Sequence, residues 1–146
     1  MTILVAVDLS PASERTLDAV RRWMPRASLR VVVVHVAAPD PEFVGWEAGP
    51  GAVRDQVARE FRRERHDVER LAASLRDDGI EATGLTVQGP TVATVLAEAD
   101  RLGADLIAVG SHGHGAAYGL VVGSISAEII RKATMPVLVV PCREGH

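Results

Sequence analysis

The sequence predicts an α/β fold in which helices cover both faces of a doubly wound parallel sheet, giving a three-layer sandwich. Short apolar runs alternate with amphipathic helical patterns along the whole chain, which is the order of elements in such folds. Most of these runs are continuously apolar, as burial between two layers of helices requires. Aromatic residues make up only 3% of the chain, so the core must consist of Val, Leu, Ile and Ala.

The predicted strands are five apolar runs bounded by turn or polar residues. The third run is the weakest, because Thr83, Thr86 and Gln88 lie in or beside it, and it is the best candidate for an edge of the sheet. The predicted strands are 3–7, 29–36, 85–87, 106–109 and Val137–Val140.

Helical patterns separate these strands. The first begins at Pro11, with Ser10 as its N-cap and the proline at a position where its missing N–H costs nothing. The second and third patterns end at Gly79 and Gly103, since glycine readily adopts the left-handed conformation of a C-cap. Pro136 separates the fourth pattern from the last strand. The predicted helices are 11–24, 53–78, Thr91–Leu102 and Ser124–Lys132.

Length and composition limit the domain organisation and the partners. A chain of 146 residues supports one domain, covering residues 1–146. The net charge is −3 and the arginines between positions 59 and 65 alternate with acidic residues, so we do not expect a nucleic-acid partner. Cys142 is the only cysteine, no cationic leader precedes the first strand, and no apolar run reaches the ~20 residues that span a bilayer. We therefore expect a cytoplasmic protein without a membrane partner.

Two loops at the predicted carboxyl edge of the sheet carry the residues with chemical potential. In doubly wound sheets, ligands bind beyond the carboxyl ends of the strands, where the strand order reverses. Asp8 and Ser10 follow the first strand, and a segment rich in glycine, from Gly110 to Ser126, follows the fourth. Backbone N–H groups of glycine and the positive end of a helix dipole favour a phosphate group, although these glycines could also form only tight turns.

Three of these side chains have competing interpretations. Asp8 could cap the following helix or face a ligand. His112 and His114 could bind a metal, but a pair of histidines lacks the four-ligand pattern of a structural zinc site, so we expect no metal held by protein ligands alone. A Mg²⁺ ion carried by phosphate groups is more consistent with this loop. His35, near the end of a buried strand, is predicted to be a hydrogen-bonded core residue.

The glycine-rich segment resembles the ATP-binding signature of the nucleotide-binding branch of the universal stress protein family. Gly110 is followed after two residues by Gly113, and after nine more by Gly123 and Ser124. The similarity extends over nearly the whole chain. The further matching segments are 3–8, 34–36, 123–126 and 136–140.

This resemblance implies an adenine nucleotide alpha hydrolase-like (Rossmann-like) fold, with a five-stranded parallel sheet in the order 3-2-1-4-5. It implies that Asp8 and the backbone at Val36 hold the adenosine end of ATP, AMP or another adenine nucleotide. It also implies a homodimer formed through the edge strand Val137–Val140. The residues that surround the ribose and phosphates are then Gly110, Gly113, Gly123, Ser124, Ile125 and Ser126.

His112 and His114 depart from the family pattern, in which arginine is frequent at these loop positions. A histidine is cationic only part of the time near neutral pH. The sequence therefore predicts a weaker or pH-dependent grip on the phosphates, with His112 counted among the nucleotide-binding residues.

The connection 37–52 is unusually long for a compact domain and contains Phe43 and Trp46. It leaves the carboxyl end of a central strand. It could therefore act as a lid over the crevice or form a mobile surface loop.

The sequence favours a binding protein over an efficient enzyme. It has no glycine-rich loop ending in Gly-Lys-Ser/Thr, and its only lysine, Lys132, lies far from the glycine segment. Adenylating relatives with a similar fold use a Ser-Gly-Gly loop, where this chain has Asp8, Leu9, Ser10 and Pro11. We predict a stress-related sensor or regulator with no catalytic residues. The alternatives are a slow ATPase, a protein that binds AMP or a cyclic nucleotide, and a dimeric interaction module without nucleotide.

Overall fold

A computed structural model of the chain describes residues 1–38, 51–111 and 122–142. These residues form a five-stranded sheet in which all paired strands are parallel, in the order β3-β2-β1-β4-β5. The predicted α/β fold and strand order 3-2-1-4-5 are confirmed. The strands are β1 (Thr2–Val7), β2 (Arg30–Ala37), β3 (Glu81–Gln88), β4 (Leu106–Gly110) and β5 (Val137–Val140), and the helices are α1 (Pro11–Trp23), α2 (Gly51–Asp77), α3 (Thr91–Leu102) and α4 (Ser124–Lys132).

Two apolar cores lie on opposite faces of the sheet, because alternate residues of each strand point to opposite sides. On one face Val5 and Val33 pack with Leu17 of α1 and Leu75 of α2. On the other face the strands pack against α3 and α4 through a second cluster that includes Leu4, Val34, Val95, Ile107 and Ile129. The predicted three-layer arrangement follows from this division.

The ends of most elements agree with the sequence prediction. The ranges of α3, α4 and β5 are as predicted, and Ser10 caps α1 with a side chain that accepts from the N–H of Ala12. Gly79 and Gly103 adopt the left-handed conformation, with φ of 78° and 60°. The helix α2 begins at Gly51, two residues before the predicted start.

The strand β3 lies at an edge of the sheet, as predicted, but is eight residues long rather than three. The sequence pattern did not predict the full length of the strand, because Gly84 and two threonines interrupt the apolar residues. A side chain at position 84 would be tight: a Cβ atom there would lie 3.1 Å from a methyl of Val68 and 3.3 Å from the Cα of Glu69. The helix α2 therefore packs closely over this strand.

Most of the 37–52 connection, including Phe43 and Trp46, lies outside the described residues. Its first residue, Ala37, is the last of β2, and Gly51 is the first of α2. Within the described residues, no helix combines the length and the apolar character needed to cross a membrane.

Candidate functional site

A crevice forms at the carboxyl edge of the sheet, where β1 ends between its two neighbours, β2 and β4. Pairing between β1 and β2 ends at Val7 and His35, whereas β2 continues beside β3 as far as Ala37. On the other side, β1 pairs with β4 up to Val109, and β4 continues beside β5 for one more residue. The backbone at Val36 therefore extends past the end of β1, whereas Gly110 lies level with Val7, and both border a gap beyond that end.

A cavity of about 180 Å³ lies in this gap. Its wall combines an apolar surface, contributed mainly by α3, α4 and the strands, with polar groups, half of which come from α1 and the turn before it. This combination is typical of small-molecule sites. The apolar members include Val36, Val95, Val109, Ile125 and Ile129, and the polar members include Asp8, Ser13, Thr16, His35 and Ser126.

The turn between β1 and α1 is held by a carboxylate. Oδ1 of Asp8 accepts hydrogen bonds from the N–H of Ser10 at 3.0 Å, from its hydroxyl at 2.6 Å, and from the hydroxyl of Ser13 at 3.2 Å. The sequence left open whether Asp8 shapes this turn or faces a ligand. One oxygen shapes the turn, and the residue also forms part of the cavity wall.

Leu9 adopts a left-handed backbone conformation, with φ of 62°, in the same turn. This conformation costs a residue with a side chain roughly 1–2 kcal/mol. The Leu9 side chain packs against the core shared by α1 and α2. The hydrogen bond from the N–H of Ser10 to Asp8 joins the two residues on either side of Leu9. The strain is thus held by its surroundings, as is common beside binding sites.

The start of α4 has the opposite character. Its N-cap, Gly123, provides no side-chain hydrogen bond, so the first backbone N–H groups of the helix lack a side-chain cap. Backbone hydrogen bonds fix the chain before the helix. The N–H of Ser111 donates to the carbonyl of Val140 at 2.8 Å, and the N–H of Gly123 donates to the carbonyl of Ser111 at 2.6 Å. A rigid base therefore presents the positive end of the α4 dipole at the crevice.

The structure brings together most of the residues predicted to form the site. Five of them line the cavity, and Gly123 and Ser124 form the adjoining start of α4. His112 and Gly113 lie outside the described residues, as does His114. The five cavity residues are Asp8, Val36, Gly110, Ile125 and Ser126.

Ser126 has a more specific role than the sequence indicated. Its hydroxyl is buried and donates a hydrogen bond of 2.7 Å to the carbonyl of Gly110. The hydroxyl proton is therefore committed to joining α4 to the end of β4. In this arrangement Ser126 shapes the crevice and does not donate to a ligand.

Sequence reasoning missed three polar residues of the wall: Ser13, Thr16 and Thr91. Ser13 and Thr16 are nearly fully buried on the face of α1 that packs on the sheet. The sequence signal for these two residues was a pair of polar side chains on the stripe of α1 that faces the core. Thr91 begins α3 directly beyond the carboxyl end of β3, a position that the rule for doubly wound sheets also marks.

His35 is buried and hydrogen-bonded, as predicted, and it also lines the cavity. Its Nδ1 lies 3.0 Å from the carbonyl oxygen of Val7, and its Nε2 lies 3.5 Å from Oε1 of Glu64 on α2. The ring therefore connects the end of β1, the end of β2 and the helix that covers them.

Related sequences agree with this architecture. The sequence profile of the universal stress protein family matches residues 1–141. A universal stress protein of Mycolicibacterium smegmatis is 36% identical over 146 residues, which cover 94% of this chain and 47% of that protein. Another, from Thermus aquaticus, is 30% identical over 139 residues, covering 95% of this chain and 97% of the relative. The chain thus spans about half the length of the first relative and nearly all of the second.

Solved structures agree as well. The structure of protein MJ0577 of Methanocaldococcus jannaschii matches with a TM-score of 0.81 at 25% identity, covering 99% of this chain and 97% of that chain. A universal stress protein in complex with cAMP shares the fold with a TM-score of 0.69 at 20% identity, covering 96% of each chain. A family protein from Arabidopsis thaliana with AMP bound does so with a TM-score of 0.68 at 17% identity, covering 98% and 92%. This chain belongs to the universal stress protein family.

Proposed function

We propose that this chain binds an adenine nucleotide in the crevice at the carboxyl edge of its sheet. The observation that carries the proposal is a single cavity bordered both by Asp8, at the end of β1, and by the first turn of α4. A nucleotide needs an apolar slot for its base and a source of N–H donors and positive potential for its phosphates. The crevice has an apolar slot at one end and the start of α4, with its N–H groups, at the other.

The base end of the site lies against β2, α3 and the apolar wall. Val36 and Val95 provide apolar surface for the faces of a purine. The backbone of Val36 has no residue of β1 opposite it, so that side of the strand is open to the edge of a base. The relatives with bound cAMP and AMP support an adenine ligand.

The phosphate end of the site lies at the start of α4. The N-terminus of a helix attracts anions through its unpaired N–H groups and its dipole. Gly123 leaves these groups without a side-chain competitor, and Ile125 and Ser126 of the same turn line the cavity. A Mg²⁺ ion bound to the nucleotide is compatible with this end, since that ion keeps most of its water ligands and takes few from protein.

We assign the nucleotide a regulatory rather than a catalytic role, with little or no hydrolysis, in a cytoplasmic stress-related sensor. Lys132, the only lysine, lies in the last turn of α4, at the opposite end of the helix from the crevice. It forms an ion pair with Glu128 at 2.6 Å, and this contact lowers the pKa of the glutamate. Neither group is positioned to act on a nucleotide, which supports a binding function over catalysis.

The edge strand β5 is the proposed contact of a homodimer. Its apolar residues Val137, Leu138 and Val139 are only partly buried, and an edge strand exposes backbone groups that can pair with another chain. We expect light scattering at micromolar concentration to give the mass of two chains. A monomer under these conditions would contradict the assignment.

The nucleotide site is tested by adding a charge at the start of α4. Replacing Ser124 by Asp should stabilise the helix by about 0.3–1 kcal/mol, because negative charge is favourable there. The same carboxylate should repel phosphates and weaken nucleotide binding at least ~10-fold, or about 1.4 kcal/mol. Isothermal titration with ATP, AMP and cAMP measures the loss, which should be largest for ATP because ATP carries the most charge.

The matched control is Ser124→Asn, which has the shape of the aspartate without its charge. It shares any loss caused by removing the Ser124 hydroxyl, so it should bind nucleotide clearly more tightly than Ser124→Asp. An equal loss in both variants, or no loss in either, would contradict a phosphate site at α4. Denaturing the purified protein and identifying any released nucleotide shows independently which adenine nucleotide the cell supplies.

A further inference from the structure

His35 joins the two strand ends that border the base end of the crevice. It lies opposite Val7 in the register of β2 and β1, and its Nδ1 is 3.0 Å from the carbonyl oxygen of that residue. The residue after Val7 is Asp8, and the residue after His35 is Val36. The His35 side chain therefore ties together the two residues that directly precede Asp8 and Val36. Asp8 and Val36 are the residues assigned to the adenosine end.

The hydrogen bond to Val7 fixes which ring nitrogen can change its protonation. A carbonyl oxygen only accepts, so Nδ1 must carry a hydrogen in both the neutral and the charged ring. Nε2 is then the nitrogen that titrates. It is buried and has no hydrogen-bond partner within the described residues, and Oε1 of Glu64 lies 3.5 Å away. Without a proton between them, a lone pair of the ring and a carboxylate would face each other in a largely buried site.

The contact lies where α2 leaves the sheet. Glu64 is one turn before Val68, which is buried, and is followed by the core residues Leu71 and Leu75. The residues before Glu64 are mostly exposed. A contact at this point can therefore set how firmly the first half of α2 rests on the ends of β1 and β2.

Several elements contribute polar or charged groups near the ring. Asp8, in the turn after β1, lines the same cavity; from α1, Ser13 and Thr16 contribute only hydroxyls. From β3, the register neighbour is Thr86, which is uncharged. On α2, Glu60 lies one turn before Glu64 and Asp67 three residues after it, while Arg63 and Arg65 are exposed.

We propose that His35 and Glu64 form a proton-dependent latch that holds α2 against the carboxyl end of β2 and thereby positions the His35 ring, which lines the crevice, for nucleotide binding. The latch is closed when the pair shares a proton on the Nε2 side and opens when that proton is lost. The effect on nucleotide affinity rests on the proposed function, whereas the movement of α2 does not.

The test compares two variants of α2 that lose the same charge. In Glu64→Gln the side-chain amide can donate to Nε2 of the neutral ring, so the latch should stay closed at all pH values. Glu60→Gln changes an exposed glutamate one turn earlier and should leave the latch as it is. Amide hydrogen exchange of the nucleotide-free proteins, expressed as protection factors between pH 5.5 and 8.5, reports on α2 directly.

In the unmodified protein and in Glu60→Gln, protection of the amides at 61–68 should fall as pH rises, while that near Leu75 should not. In Glu64→Gln it should stay high throughout. AMP affinity should weaken by up to ~10-fold over the same range in the first two proteins and by less in Glu64→Gln, in proportion to the closed fraction.

Identical exchange profiles in Glu64→Gln and Glu60→Gln would overturn the latch. If exchange behaves as expected but AMP binds to none of the proteins at any pH, the latch stands and the proposed nucleotide site fails. If AMP binds and its pH dependence is the same in both variants, the latch has no role in positioning the site. The comparison is unaffected by other histidines, because both variants retain them.

Discussion

The helices α1 and α4 begin at adjacent points of the carboxyl edge, yet their first turns are built in opposite ways. Before α1, Asp8 binds Ser10 and Ser13, and Ser10 in turn caps the helix at Ala12. Before α4, Gly123 offers no side chain at all. The first helix start is capped by its own side chains, whereas the second has no side-chain cap among the described residues.

The difference shows how one crevice obtains both a rigid wall and a place for a ligand. At α1 the hydrogen bonds hold a strained residue, Leu9, and fix the position of Asp8. At α4 the fixed parts lie outside the first turn, in the bonds of Ser111 and in the hydroxyl of Ser126. Rigidity thus surrounds the open donors of α4 without occupying them.

The largest expected effect comes from removing the carboxylate that holds the turn before α1. Replacing Asp8 by Ala removes an acceptor of three hydrogen bonds, and should lower the free energy of unfolding by about 3 kcal/mol, since bonds to a charged group contribute about 1.5–3 kcal/mol each before relaxation. Asp8→Asn retains one acceptor oxygen and should lose about 1 kcal/mol. Urea unfolding monitored by circular dichroism measures both differences.

The control for this experiment is Asp18→Ala in α1, the helix that follows this turn. Asp18 is exposed and forms an ion pair with Arg21, so its loss should stay within about 0.5 kcal/mol. If Asp8→Ala were no more destabilising than Asp18→Ala, the carboxylate would not hold the turn, and the contrast with α4 would lose its basis.

The sequence predicted the parts of this comparison that depend on neighbouring residues. Ser10 followed by Pro11 marks the start of α1 locally, and glycine after α3 marks its end, so both were found. Strand order depends on packing between distant segments, and it came from the family resemblance. The length of β3 was missed because Gly84 fits the close approach of α2, which no local pattern reveals.

The candidate site was predictable to a similar depth. Residues that directly follow a strand, such as Asp8 and Gly110, were identified because the fold places strand ends together. Ser13 and Thr16 were not, since their role depends on which face of α1 borders the crevice. The contact of His35 with Glu64 joins residues 29 positions apart and could be found only in three dimensions.

The smallest expected effect transfers the α1 arrangement to α4. Gly123 has φ of −59° and ψ of 156°, a conformation that any residue can adopt, so Asn fits its backbone without strain. Its side chain should cap an N–H of the first turn and raise the free energy of unfolding by a few tenths of a kcal/mol, about 0.3. The same bond removes a donor from the phosphate end, so nucleotide affinity should fall a few-fold. Thermal unfolding measures the change in stability, and isothermal titration measures the change in nucleotide affinity. The two changes should have opposite signs, and this matters more than their size. A variant that gained both stability and affinity would mean that the first turn of α4 does not bind the ligand.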